Sequence, residues 1–184
     1  MTLCVAILLG GKSSRMGEPK HLIKMGESQT LMDVMISFAS TLSERIVTAG
    51  GQYSSLPSVS DRRHDAGPLA GVEALLHSGM SQRYLMLGCD MPNLNSQSIQ
   101  QLIDATHSAS FVREGRVYGL PCVIDSTYAD VCTTCLDGGM RSLKEFLTEI
   151  DAERIPATSE IAESFSSLNT PSDVYNFALK RGRA

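Results

Sequence analysis

The stretch Leu8-Leu9-Gly10-Gly11-Lys12-Ser13-Ser14-Arg15-Met16-Gly17-Glu18-Pro19-Lys20 sets a glycine pair ahead of the cations Lys12, Arg15 and Lys20. Gly10 and Gly11 let backbone approach a ligand with no β-carbon in the way. Lys12, Arg15 and Lys20 neutralise phosphate charge, Arg15 through a bidentate fork. Bare amides and cations converging at the end of a strand suit a polyphosphate. The stretch lacks the P-loop spacing and the glycine spacing of a dinucleotide fingerprint.

A second group is Leu87-Gly88-Cys89-Asp90-Met91-Pro92. Here a strand pattern ends in a carboxylate, and a proline stops it from continuing. Asp90 has two readings: a cap on the turn before Ser96, or a ligand for Mg²⁺, which prefers one or two carboxylates plus phosphate oxygens and water. Beside a phosphate loop, the metal reading is favoured. Asp61 and Asp65 precede Gly67-Pro68-Leu69-Ala70-Gly71, where a carboxylate can accept hydrogen bonds from a base or ribose or simply be solvated. His21, His64, His77 and His107 are scattered, with no Ser/His/Asp arrangement and no paired-histidine metal motif. Cys132-x-x-Cys135 lacks a second pair, so incidental thiols on a helix are favoured over half a metal site or a redox couple.

These groups need a scaffold that brings strand ends together. Leu3–Leu9 reads as a buried strand, and Leu31, Val34, Met35 and Phe38 follow the cap Thr30 at helical spacing. Arg45–Ala49 and Tyr84–Cys89 read as further strands. Pro68 opens a helix with Leu69, Val72, Leu75 and Leu76 on one face, and Ser96 is the expected cap of a helix holding Ile99, Leu102 and Ile103. Phe111-Val112 and Val117–Ile124 flank a turn at Glu114-Gly115. Arg141–Glu149 and Pro171–Lys180 read as helices, the latter capped by Thr170 with Asp173. Strands alternating with helices imply a single three-layer α/β/α domain, residues 1–184, around a mostly parallel Rossmann-like sheet. Ligands of such a sheet bind outside the carboxyl ends of its strands.

The chain has 184 residues, a net charge of −4, 42% hydrophobic and 20% charged residues. That balance suits a globular protein and disfavours general nucleic-acid binding. Its apolar runs are shorter than a membrane span, and the N-terminus lacks signal-peptide features. Five cysteines, an odd count, fit reduced thiols and a cytoplasmic protein.

The Leu8–Lys20 stretch resembles the signature loop of nucleotidyltransferases built on a Rossmann-like sheet. Together with Gly67-Pro68-Leu69-Ala70-Gly71, Cys89-Asp90-Met91-Pro92 and Asn169-Thr170-Pro171, it resembles the molybdenum cofactor guanylyltransferases, the MobA-like branch. The likeness runs from Leu3 to about Phe177. It implies transfer of GMP from GTP to the terminal phosphate of Mo-molybdopterin, releasing pyrophosphate. Carried over by motif, Leu8, Leu9 and Gly10 meet the guanine through backbone groups, Gly11 is a further substrate-binding position, and Asp61 touches the nucleoside. Lys20 contacts GTP phosphates, Arg15 stabilises charge during transfer, and Asp90 holds Mg²⁺. Arg141 and Asn169 fall on the acceptor side. The family often has an asparagine after the second strand, where this chain has Thr48-Ala49-Gly50-Gly51, so a nucleotide contact is lost or moved to Thr48. It tends to carry His-Pro where this chain has Leu120-Pro121. Proteins that deliver molybdopterin or mature molybdoenzymes are implied as partners by analogy.

The chemistry of the residues agrees with that implication. An acceptor phosphate oxygen is already ionised near neutral pH, so attack on the α-phosphorus needs no strong general base. Positioning and charge stabilisation supply the catalysis. Two alternatives remain: transfer from CTP or another NTP to a pterin, sugar-phosphate or alcohol-phosphate acceptor, and a non-catalytic nucleotide-binding regulator.

Overall fold

Alternation of side chains along the strands decides the layering. In the computed structural model, which describes residues 2–9, 20–25 and 29–181, β1 (Leu3–Leu8) sends Cys4, Ala6 and Leu8 to one face and Val5 and Ile7 to the other. β4 (Arg83–Gly88) does the same with Tyr84 and Met86 against Leu85 and Leu87. Both faces are apolar, so helices must cover both. On one side lie α2 (Pro68–His77), α4 (Ala129–Asp137) and α5 (Leu143–Glu149). On the other lie α1 (Leu31–Ser40) and α3 (Ser96–Asp104).

The remaining strands are β2 (Ile46–Ala49), β3 (Ser58–Val59), β5 (Ala109–Arg113), β6 (Arg116–Asp125) and β7 (Glu153–Pro156). They join β1 and β4 in a seven-stranded sheet ordered β3-β2-β1-β4-β6-β5-β7. Only the pairings of β6 with β4 and β5 are antiparallel; the other neighbours are parallel. The α/β/α fold with a mostly parallel sheet is therefore as the strand–helix alternation predicts. The chain runs outward from β1 to β3 and then crosses through α2 to β4 on β1's opposite side. That reversal opens a crevice at the carboxyl ends of β1 and β4.

Local chemistry accounts for most element boundaries. Thr30 and Asp33 form a reciprocal capping box, with Thr30 N–H donating to Asp33 Oδ2 at 2.8 Å and Asp33 N–H to Thr30 Oγ1 at 3.2 Å. Thr170 and Asp173 repeat it at the start of α7 (Pro171–Arg181). The β5–β6 turn places Glu114 and Gly115 at φ 51° and 73°, the conformation of a primed hairpin turn.

Two helix starts and three short elements differ from expectation. The cap of α3 is Asn95, whose Oδ1 takes the N–H groups of Gln97 and Ser98, one residue before the expected Ser96. α5 begins at Leu143 because Ser142 caps it, leaving Arg141 outside the helix. β3, β7 and α6 (Ser159–Ser164) are short elements that the apolar periodicity does not announce.

Candidate active site

Gly10, Gly11 and Arg15 of the glycine-rich stretch lie outside the described residues; Lys20 is described only as the start of a short 3-10 turn, Lys20–Leu22. The strand that leads into the stretch is well defined. Leu8 lies between Ala49 of β2 and Gly88 of β4. Its carbonyl accepts the Cys89 N–H at 3.2 Å, and Leu9 N–H donates to the Ala49 carbonyl at 2.8 Å. The Leu9 N–H is thus spent on the sheet, which removes one of the backbone groups expected to meet a base. The Leu8 carbonyl keeps a second lone pair.

Two carboxylates flank this strand end. Asp61 stands on the β2 side, where its carboxylate accepts the Gly50 N–H and lies against Gly71 of α2. A β-carbon at Gly71 would sit 3.5 Å from Asp61 Oδ1 and 3.8 Å from Ala49 Cβ, so a small residue there lets the loop close on the helix. Desolvation raises the Asp61 pKa above the usual carboxylate value, against the hydrogen bond from Gly50. Asp90 stands on the β4 side, just past the strand end. Its neighbour Gly88 makes room for it: a β-carbon at Gly88 would meet Asp90 Oδ1 at 2.9 Å.

The Asp61 loop is anchored by a cluster that the sequence reading passed over. Arg63 donates to both carboxylate oxygens of the buried Glu73 at 2.9 Å, and to Asp137 of α4 at 2.6 Å. Thr133 of α4 donates to Glu73 at 2.9 Å, and His77 lies 3.0 Å from the Thr133 hydroxyl. Hydrogen bonds from Arg63 hold the Glu73 carboxyl below its ordinary value. Such a planar fork on a buried carboxylate fixes two elements in one geometry.

Asp90 opens onto a cleft of about 590 Å³, lined also by Tyr118, Leu120, Arg141, Lys144 and Phe165. Arg141, expected on the acceptor side, is thereby brought into one cleft with Asp90. Its Nη1 donates to the carbonyls of Leu136 and Met140, both at 2.8 Å. Gly67, at φ +72°, lets the start of α2 pack against it; a β-carbon would lie 3.3 Å from the Arg141 carbonyl in a conformation that side chains avoid.

Asn169 is exposed and is not among the cleft-lining residues. Its amide donates to the Ser167 carbonyl at 3.1 Å, so it shapes a segment of which Ser167 reaches the cleft. That segment is strapped to the site by Leu168 N–H, which donates to the Asp90 carbonyl at 2.8 Å. Thr48 departs from expectation. It is fully buried, and its hydroxyl faces the carbonyls of Gly51 and Pro57 at 3.4 Å, so it closes the turn after β2 instead of facing the crevice.

Tyr118, Lys144 and Phe165 were not singled out from sequence. Gly119 inside a strand pattern was the available signal, because an interior strand glycine marks a close approach. Among the described residues, no three His, Cys, Asp or Glu side chains gather as a metal cluster. The Asp90 carboxylate fits Mg²⁺, which needs one or two carboxylates and draws its other ligands from phosphate and water. It does not fit a structural zinc site. Cys132 is buried against α2, its thiol pushed up to about 12 by desolvation, and Cys135 is only partly buried on the same helix.

A crevice at a topological switch, flanked by carboxylates at the end of the strand that precedes a glycine-rich, basic sequence, defines a nucleotide-handling α/β protein. Residues 5–153 match the MobA-like NTP transferase domain. A Yersinia pestis (strain Pestoides F) protein named molybdenum cofactor guanylyltransferase is 30% identical over 95% of this chain and 94% of its own. A Carboxydothermus hydrogenoformans protein named probable molybdenum cofactor guanylyltransferase is 28% identical over 97% of this chain and 95% of its own. The crystal structure of molybdopterin-guanine dinucleotide biosynthesis protein A from Archaeoglobus fulgidus superposes with a TM-score of 0.76 at 17% identity, covering 98% of this chain and 99% of that one. The chain belongs to the MobA-like NTP transferase family, and it is a nucleotidyltransferase.

Proposed function

We propose that this enzyme transfers GMP from GTP to the terminal phosphate of Mo-molybdopterin, giving the guanine dinucleotide form of the cofactor and pyrophosphate. One observation carries the reading. Relatives bearing the guanylyltransferase name align over 95% of this chain, so the likeness spans the cleft behind Asp90 as well as the strand leading to the glycine-rich stretch.

In this reading the nucleotide lies across the end of β1, with Asp61 on its nucleoside side and Arg15 and Lys20 on its phosphates. The acceptor occupies the cleft that Asp90 shares with Arg141. An acceptor phosphate oxygen attacks the α-phosphorus, a new P–O bond forms, and the α–β bridge breaks with its electron pair leaving on pyrophosphate. Asp90 would hold Mg²⁺, and when bound that ion supplies charge neutralisation on the triphosphate. Arg141, fixed by two backbone carbonyls, orients the acceptor without further side-chain ordering. The apolar cleft wall excludes water that would otherwise compete for the α-phosphorus. The same reading takes the chain as one cytoplasmic domain that receives its pterin from, and hands its product to, other proteins of the molybdenum cofactor route.

Pyrophosphate release with each common NTP, with and without Mo-molybdopterin, tests this directly. Release with GTP that depends on the pterin is expected, as is its near abolition in Asp90→Ala with the fold retained. Preference for CTP would move the enzyme to cytidylyl transfer, and GTP binding with no release would make it a regulator.

A further inference from the structure

Lys144 stands in the same cleft without a structural task. It is the second residue of α5, and a cation in the first turn of a helix opposes the positive end of the helix dipole. Among the described residues, no carboxylate pairs with its ammonium, and the Thr148 hydroxyl donates to its backbone carbonyl and not to its side chain. Helix stability therefore does not explain the charge.

The β6 strand nevertheless makes room for this side chain. A β-carbon at Gly119 would lie 3.2 Å from Lys144 Cγ and 3.8 Å from Cε, so the bare glycine lets the lysine stem run across the strand. Lys144 lines the cleft with Arg141 and Asp90, so the charged residues of its wall are two cations and one carboxylate. Between them the wall is apolar and ring-bearing, with Tyr118 and Phe165 in an edge contact at 5.3 Å.

We infer that Lys144, seated over Gly119, is a specificity residue that selects an acceptor carrying a phosphate monoester on a ring system broad enough to lie against Tyr118 and Phe165. The inference rests on the acceptor reading of the cleft and adds the group that reads the phosphate. An ammonium is a compact point charge that binds phosphate without demanding one orientation. It holds the acceptor's charge in the cleft while Asp90 and the glycine-rich stretch deal with the triphosphate.

The test is steady-state transfer with GTP and Mo-molybdopterin varied separately, in the wild type, Lys144→Met, Lys144→Arg and Gly119→Ala. Loss of one charge-assisted contact raises the acceptor KM about tenfold in Lys144→Met, while the GTP KM and kcat at saturating acceptor stay within about twofold. Lys144→Arg recovers most of the acceptor affinity. Gly119→Ala, which pushes on the lysine stem, raises the acceptor KM by a smaller factor. Lys144 is exposed, so an unchanged melting temperature is expected and separates binding from folding. An acceptor KM that does not move in Lys144→Met overturns the inference, as does an equal rise in both KM values. A wild type that transfers to no pterin phosphate overturns the underlying acceptor reading, and that result is distinct from a wild type that transfers while ignoring Lys144.

Discussion

Gly88→Ala isolates what positions the carboxylate at the end of β4. An added β-carbon would lie 2.9 Å from Asp90 Oδ1, 3.1 Å from Met91 Sδ and 3.2 Å from Met91 Cγ. Ordinary contacts to a β-carbon begin near 3.4 Å, so the carboxylate must move by about half an ångström. Functional groups tolerate roughly that much displacement before they stop working. The crowding atoms belong to the side chains of Asp90 and Met91 and not to backbone, so the strand ladder survives. Overpacking of this kind costs about 1 kcal/mol, or about 2–4 °C in melting temperature for a chain of this size. Full loss of one group that stabilises transition-state charge costs about 3 kcal/mol, roughly a hundredfold in rate. Gly88→Ala is therefore expected to lose between about tenfold and a hundredfold in turnover, while remaining folded and needing more Mg²⁺ to saturate. Pyrophosphate release at saturating substrates over a Mg²⁺ titration, paired with a thermal melt, reads both numbers. Wild-type turnover in a folded Gly88→Ala protein would refute the placement of Asp90. An unfolded variant would refute the view that only side chains need to yield.

Asp61→Asn keeps an acceptor for the Gly50 N–H and removes a charge that desolvation disfavours. At pH 7 it is expected to melt no lower than the wild type while its GTP KM rises. A lower melting temperature would contradict the desolvation argument. Glu73 shows the opposite linkage. Arg63 holds its folded pKa below the unfolded value of about 4.3, so its contribution is present above that pH and fades as pH falls through the lower folded value. Chemical denaturation from pH 6 to pH 3 should show less acid loss in Arg63→Met than in the wild type, and parallel curves would remove the ion pair from the account. Glu114→Asn gives the β5–β6 turn a residue that accepts positive φ. It should raise the melting point, with a gain of about 0.5 kcal/mol by denaturant titration and no change in activity.

How much of this was legible without coordinates depends on range. The capping box at Thr30 and Asp33, Pro68 at the head of α2 and the Glu114-Gly115 turn are local: the residues that specify each lie within four positions of one another. So is the buried run of β1, whose neighbours on either side leave it no polar face. The starts of α3 and α5 differ from expectation by a residue or two because Asn95, Ser96, Arg141 and Ser142 are all acceptable near a helix start, and only the backbone path chooses between them. β3 and β7 are too short to carry a period of their own, and they are strands because β2 and β5 offer them an edge. In the site, Asp90 was legible from its place after an apolar run. Arg63 and Lys144 were not, since Glu73, Asp137 and Gly119 lie 10, 74 and 25 positions away from them.

Residue order alone determined that apolar strands would alternate with helices, that the chain would stack helices on both sides of a sheet, and that a carboxylate and a glycine-rich basic stretch would each follow a strand. Those features depend on periodicity and on neighbouring side chains, which the linear chain contains in full. The tertiary structure alone decided that β6 runs against β4, that Thr48 turns inward to its own loop, and that Arg141 and Lys144 line one cleft with Asp90. Each of these depends on which surfaces come within a few ångströms after the sheet has closed. Packing and strand pairing set that distance, and no local rule of the sequence encodes it.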